Sequence, residues 1–430
     1  MKNILFSAVP KDAAWFDAVY ITGRSTPISF KNNRIYSVNE SENSGFGVRV
    51  NMDGKTGFSS TNDPSGVADT VRRAAATAPY GEVEKFKIPG GTVKGFDPHD
   101  SSIDLFDPKE EIAAAELFIR KIESAFPSIN VDMSVSASAG SFRLINSQGV
   151  DLEYIDSLYS VSVSCSYVVK DGDKIDTWES VSALKPIDYN YLSDILINRI
   201  ARGINREKLA SGTYPVILPP SAAARFLGII ASGLNGQALW KGISPLAGKM
   251  GEKVFSDSLS LIDDPRIEGS PYTAPFDGEG INPSRRALIN KGVVEGFIAD
   301  LKYAERLGID PTGNAARGYS SLPSPSFNGI TMDPGSMSFN EIVKGIELGI
   351  VAEQFIGLGQ SNTLNGDFSA NLDLAFLVEN GEIKGRLKDC MISGNVYDLM
   401  KGNIILSREM ERKGSSLLPY ICLDGVSFTA

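Results

Sequence analysis

The sequence predicts an α+β fold of two domains, mainly antiparallel sheets with interspersed helices. Strands come in runs joined by hairpin signals, and the helices between them do not alternate with single strands as a parallel βαβ sheet requires. The 430 residues also exceed the roughly 250–300 at which one hydrophobic core stops growing. The polar run "NREKLASG" marks the boundary, giving an N-terminal α+β domain over 1–208 and a C-terminal, mainly-β domain with helices over 209–430.

In the first 60 residues "DAVYITG", "ISFKNNRIYSVNE" and "GFGVRVNMDGKTGFSS" alternate apolar and polar residues, with Asp53-Gly54 as a hairpin turn. Two helices follow, each opened by a capping carboxylate before proline, at Asp63-Pro64 and Asp107-Pro108. Glu110 adds a capping box to the second. Ile112, Ala115, Ile119, Ile122 and Phe126 form its apolar stripe. "GEVEKFKIPGGTVKGFDPHDSS" between them is a Gly- and Pro-rich loop. Strands return over 129–170, and "DYNYLSDILINRIARGINREKL" is a helix capped by Asp188.

The second half opens with the strand "TYPVILPP" and a buried helix, "RFLGIIASGLNG", striped by Ala223, Phe226, Leu227, Ile230 and Leu234. A loop-rich stretch over 241–286, the hairpin "RRALINKGVVEGFIAD" and an irregular piece around "PTGNAARGYSSLPSPSFNG" come next. Ser338 and Glu341 form a capping box for a helix, "NEIVKGIELGIVAEQF". In the last hairpin Phe368, Ala370, Leu372, Leu374, Phe376 and Val378 fall on one face, and Asn380-Gly381 supplies the turn. That turn places Asp373 opposite Lys388 and Asn371 opposite Cys390, with Cys390 on the polar face.

The net charge is -10 and the basic residues are scattered, so a primary role on nucleic acid is disfavoured. Three separated cysteines, Cys165, Cys390 and Cys422, suit a reducing compartment. The amino end has too short an apolar run for a signal peptide, and no run is long enough to span a membrane. A cytoplasmic location is expected.

Histidine is the sharpest chemical constraint, because the chain has one, His99. Catalytic zinc sites usually draw on two or three, so a self-contained His-based zinc site is excluded. GxSxG, GxGxxG and P-loop patterns are absent, and the one SxxK match, Ser182 to Lys185, runs straight into Pro186. Two carboxylate-bearing stretches remain. "PFDGEG" sets Asp277 and Glu279 among glycines, suited to a cation, a peptide amine or backbone N–H groups; the plainer reading is a tight turn tied by its own Asp. "NTLNGDFS" groups Asn365, Asp367 and Ser369 around Gly366, with a solvated strand end as the plainer reading.

The stretches "GFGVRVNMDGKTGFSST", "FDGEG", "LKYAERLGIDPTGNAARG", "NTLNGDFS" and "MISGNV" run in order along nearly the whole chain. On them the sequence resembles the TldD/PmbA family, described as peptide-maturation metalloproteases and, under an older label, modulators of DNA gyrase. The resemblance implies two branches that pair as a heterodimer. In the TldD branch the helix after the strand matching "YPVILPP" carries HExxxH, which binds zinc together with a cysteine near the C-terminus. Here that window, Phe226 to Gly233, reads "FLGIIASG", and "ERKGSSLLPYICLDG" has no cysteine where the ligand is expected.

The chain therefore resembles the PmbA (TldE) branch, a pseudoenzyme subunit. No catalytic residue, metal or cofactor is expected on it, and zinc is expected on a TldD-type HExxxH partner. The expected partners are that subunit or a second copy of this chain, together with unfolded peptide. The candidate substrate-binding residues are Asp277, Glu279, Asn314, Asn365, Asp367 and Ser369. Two alternatives stand beside this: a non-proteolytic binding protein of the gyrase-modulator type, and a hydrolase using Asp277, Glu279 or Asp367 with Mg²⁺ or Mn²⁺.

Overall fold

The computed structural model describes residues 2–93, 95–170, 172–358 and 363–430. It is an α+β structure on two large sheets. The first is built from β1 (Trp15–Lys31), β2 (Arg34–Val38), β3 (Ser41–Met52), β4 (Lys55–Thr61), β5 (Asn130–Asn146), β6 (Asp151–Val168) and β7 (Lys174–Ala183). Their order is β4-β3-β1-β5-β6-β7, with β2 also paired to β1 and every pair antiparallel. Asp53 and Gly54, at φ 51° and 80°, make the tight turn between β3 and β4, since that turn needs two left-handed residues in succession.

Four helices serve this sheet: α1 (Lys2–Ala8), α2 (Val67–Thr77), α3 (Pro108–Ala125) and α4 (Asn190–Gly203). Val67, Val71 and Ala74 of α2 and Leu5 of α1 pack on Phe16, Val48 and Val50. Phe118, Ile119 and Ile122 of α3 and Leu192, Leu196 and Ile200 of α4 cover Val131, Val135, Val161 and Val163. Asp107 caps α3 through the N–H of Lys109 at 2.8 Å, two residues on, and not through the N–H of Glu110 that a capping box would engage. Glu111 instead turns inward and receives the hydroxyl of Tyr159 at 2.9 Å and that of Tyr189.

The second sheet has twelve strands. It begins with β8 (Arg206–Glu207), which already pairs with Glu382–Leu387, and β9 (Gly212–Leu218). Its centre is β9 between Leu348–Ile356 and Ser416–Thr429. On one face lies α5 (Pro220–Gly233), whose Ala223, Phe226, Leu227 and Ile230 sit in the largest core with Leu261, Leu288, Phe368 and Ile421.

Two sequence expectations change here. The helix opened by the Ser338–Glu341 capping box is real, but it ends at Lys344, and Leu348–Ile356 is a strand. Apolar residues recur there at helical spacing, yet Ile350, Val351 and Ala352 are buried on both sides, because the segment fills the slot between β9, to which it is parallel, and Asp367–Glu379. A fully buried strand and a buried helix have the same periodicity over so short a run.

The last hairpin has its expected turn, with Asn380 at φ 49° and Gly381 at 77°, but not its expected register. A bulge between Phe376 and Val378 shifts the pairing by one, so Asn371 faces Met391 instead of Cys390. A second irregularity, where Gln354 pairs Leu374 and Phe355 pairs Leu372, turns the strand over. Phe368, Ala370 and Leu372 enter the core under α5, while Leu374, Phe376 and Val378 enter the core on the opposite face. Cys390 is buried in the first of these rather than lying on a polar face.

The helices Leu301–Leu307 and Val396–Leu399, capped by Asp300 and Asn395, were not expected from the sequence. Among the described residues no helix is long and apolar enough to cross a membrane.

Candidate functional site: a buried charge junction and an apolar helix

The two sheets meet through charge. Asp17 of β1 and Arg49 of β3 stand directly opposite one another in the strand register, and Arg49 Nε donates to Asp17 Oδ1 at 3.0 Å while Nη2 reaches Oδ2. From the second half of the chain Glu279 approaches Arg49 Nη1 at 2.9 Å, and Arg317 approaches Asp17 Oδ1 at 3.0 Å. All four side chains are buried. Burial alone would raise the Asp17 carboxyl, but Arg317 and Arg49 hold it below the usual carboxylate range. The guanidinium of Arg49 also lies over Trp15 and Phe86, at 5.5 and 5.8 Å from the ring centres.

The candidates Asp277 and Glu279 belong to this junction. Asp277 Oδ1 accepts the N–H groups of Glu279 and Ile281, and Oδ2 accepts that of Ala315, at 2.9 to 3.0 Å. Burial, then the neighbouring Glu279 charge, pushes the Asp277 carboxyl up to about 7. Glu279 Oε2 accepts the N–H of Leu301 at 2.8 Å, at the start of the helix that Asp300 caps. Asp300 is likewise pushed up to about 7 by burial and by Glu279.

Asn314 is buried beside them, its Nδ2 donating to Asp263 at 2.7 Å while its Oδ1 has no donor among the described residues. Asp277 and Asn314 line one cavity of about 450 Å³, walled by Phe142, Tyr154, Phe276 and Phe327.

Glycines complete the joint. Gly45 and Gly47 lie on the same face of β3, as residues two apart in a strand do. A Cβ on Gly45 would meet the Tyr319 ring at 2.3 Å, and one on Gly47 would meet the Tyr319 carbonyl oxygen at 2.0 Å. Tyr319 packs there against the cluster of Val19, Phe142, Leu144 and Phe276. "GFGVRV", "FDGEG" and "GNAARGY" thus come together as one joint. The sequence reading missed Asp17, Arg49, Asp300 and Arg317. The available signal was a charged residue at the centre of an otherwise apolar strand run.

The remaining candidates, Asn365, Asp367 and Ser369, are exposed and lie elsewhere, where Asp367–Glu379 begins over α5. Asn395 Nδ2 donates to the Asn365 carbonyl and to Asp367 Oδ1, both at 2.9 Å, and its Oδ1 caps the helix Val396–Leu399. Gly366, at φ 88°, lies against Tyr397, and the Phe368 ring meets Phe226 of α5 at 4.8 Å. Asn362, the first residue of "NTLNGDFS", lies outside the described residues.

The side chains of α5 are not a zinc donor set. From Phe226 to Gly233 they are apolar apart from Ser232, whose hydroxyl donates to the Ile229 carbonyl at 2.6 Å. His99 is far along the chain, its Nε2 2.7 Å from Asp104 Oδ2. Burial raises the thiols of Cys165 and Cys422 to about 12, and that of Cys390 to about 11, so none is a ready thiolate ligand. Among the described residues no three His, Cys, Asp or Glu side chains converge as a metal site would need. The described residues therefore do not fit a zinc ion.

A two-sheet α+β protein whose signature stretches come together in one buried joint is the class this architecture defines. The chain belongs to the TldD/PmbA family: residues 211–430 match the PmbA/TldA metallopeptidase C-terminal domain, and residues 16–78 match PmbA/TldA metallopeptidase domain 1. A relative from Methanothermobacter thermautotrophicus, described as a metalloprotease, is 26% identical over 395 residues, which span 88% of this chain and 85% of that one. Two solved structures share the fold. TldE from Thermococcus kodakarensis is 22% identical with a TM-score of 0.90, covering 100% of both chains. A Thermotoga maritima protein provisionally labelled a modulator of a DNA gyrase is 21% identical, also with a TM-score of 0.90, covering 100% of this chain and 99% of that one.

Proposed function

We propose that this chain is the PmbA/TldE-type subunit of a TldD/TldE zinc peptidase system acting on unfolded peptide, and that the zinc belongs to an HExxxH-bearing partner. The observation that carries the reading is α5. Where the resemblance expects HExxxH, Phe226, Leu227, Ile229, Ile230 and Ala231 are buried, so the helix has given that face to the core. The metalloprotease description of its relative and the fold shared with a TldE support the same reading.

On this account the chain contributes shape. Its junction holds the two sheets as one body, and Asn314, with an unpartnered acceptor on an aromatic-walled cavity, is the sequence candidate best placed to take a peptide N–H. The test is to mix the purified chain with the HExxxH relative from the same organism and follow cleavage of an unfolded peptide. Cleavage should rise with added chain and saturate at one chain per partner. A partner whose rate ignores the chain would contradict the reading.

A further inference from the structure

A second cavity, of about 200 Å³, lies at the amino end of α5, where the two domains face each other across Trp178, Ser221, Ala222, Arg225, Gln354 and Phe355. Pro219 gives α5 no side-chain cap, and Pro220 at its first position has no N–H to offer. The free N–H groups of the first turn are those of Ser221 and Ala222, since that of Ala223 already bonds the Pro219 carbonyl. Arg225, one turn on, lies over the Phe355 ring at 5.8 Å.

The carboxylates lining the cavity are committed to other cations: Glu179 to Arg199 at 3.1 Å and Lys413 at 3.2 Å, and Glu353 to Arg199 at 2.9 Å. Among the described residues none of them pairs with Arg225. The second observation is Gln354, only 6% exposed. Its Nε2 donates to the Trp178 carbonyl at 2.6 Å, which leaves Oε1 as a buried acceptor with no donor among the described residues. A site with anion-binding N–H groups, an uncommitted guanidinium and an orphaned acceptor asks for an anion with an N–H beside it.

We propose that this cavity receives the C-terminal residue of a peptide, its carboxylate on the N–H groups of Ser221 and Ala222 and on Arg225, its amide N–H on Gln354 Oε1. The inference rests on the peptide-handling reading above and names the end of the peptide that this chain takes. A simple anion satisfies only half of the site. A strand laid along the edge of β7 is blocked, because the outward carbonyls of Trp178 and Ser182 already accept from Arg199, Gln354 and Arg412. The cavity lies below the roughly 300–1,000 Å³ of ordinary ligand pockets, which suits one terminal residue.

The test uses the full chain and calorimetric titration with acetyl-Ala-Ala-Leu as the free acid, the same peptide as its C-terminal amide, and acetate. The free acid should bind at least roughly tenfold tighter than either of the others, about 1.4 kcal/mol. Arg225→Gln, at an exposed position, should abolish the preference for acid over amide. Gln354→Leu should bring the free acid down toward acetate, and Arg285→Gln, on a remote ion pair, should change nothing. Equal binding of acid and amide, acetate binding as tightly as the peptide, or no binding at all would overturn the proposal. If the partner is stimulated while acid and amide bind alike, this inference alone fails; if the acid is preferred and the partner is not stimulated, the functional reading alone fails.

Discussion

Asp277 and Asp300 show what burial does to a carboxylate that has hydrogen bonds but little countercharge. Asp277 spends both oxygens on three N–H groups, so Asp277→Asn must turn an NH2 against an N–H donor. The variant should lose about 1–3 kcal/mol in urea unfolding. Among the described residues Asp300 accepts one N–H, from Tyr303 at 2.8 Å, and its Oδ2 has no donor. Its proton affinity is raised by burial and by Glu279 to about 7 from an ordinary 3.8. For an acid raised in this way the folded state holds the proton that the unfolded chain has released. The group's contribution is therefore complete below about pH 4 and is lost as pH rises through about 7. Asp300→Asn, which has nothing to ionise, should gain stability relative to the parent between pH 5 and pH 8, by about 1.4 kcal/mol for each tenfold of proton affinity involved. Paired urea titrations check it, and a difference that stays flat with pH would contradict the assignment. The sequence offered "PFDGEG" as a turn or a binding loop; two of the bonds onto Asp277, from Glu279 and Ile281, are local to that turn, and the third comes from Ala315. It could not show that Arg49, more than two hundred residues earlier in the chain, supplies the countercharge for Glu279, because nothing local encodes that approach.

At the scale of elements, close backbone approach decides what sequence pattern leaves open. Gly47→Ala sets a methyl against the Tyr319 carbonyl oxygen, and Gly45→Ala sets one against the Tyr319 ring. Each should cost roughly 1–3 kcal/mol, measured by thermal or urea unfolding. Adding Tyr319→Ala should recover much of the loss at Gly45, where the obstacle is a side chain, and little at Gly47, where it is backbone. Equal rescue at both positions would contradict the geometry. The same distinction explains which elements could be read in advance. Caps and turns with a local chemical cause, Asp107-Pro108, Asp53-Gly54, Asn380-Gly381 and the Ser338–Glu341 box, fall where their residues put them. Leu348–Ile356 reads as helix in the sequence because its partners on both sides are distant in sequence. The register of the last hairpin was lost for a related reason, since the bulges answer to packing on two different cores and not to the turn.

Across the whole molecule, the charge junction and the Tyr319 joint help tie the two sheets together, beside the core in which Ile175 packs with Ile217 and Val351. Glu279→Gln would leave Arg49 and Arg317 with Asp17 as their only carboxylate among these ion pairs. Removing one partner from a buried ion pair typically costs about 3–5 kcal/mol. The variant should unfold at lower temperature and in separable steps, seen by calorimetry, where the parent shows one. A single transition at the parent's temperature would refute the role given to the junction. The candidate site was legible in outline only. The composition announced a chain with one histidine, and the apolar stripe of α5 announced a helix committed to the core. The division of the candidates between a joint and an exposed strand end depended on tertiary contacts. The central claim, that this polypeptide supplies no zinc, is tested most directly by incubating the isolated full chain with excess zinc, removing unbound metal and measuring zinc by mass spectrometry alongside peptidase activity. The account predicts far less than one zinc per chain and no chelator-sensitive cleavage. One tightly held zinc per chain, with peptide cleavage that stops when the metal is stripped, would contradict it.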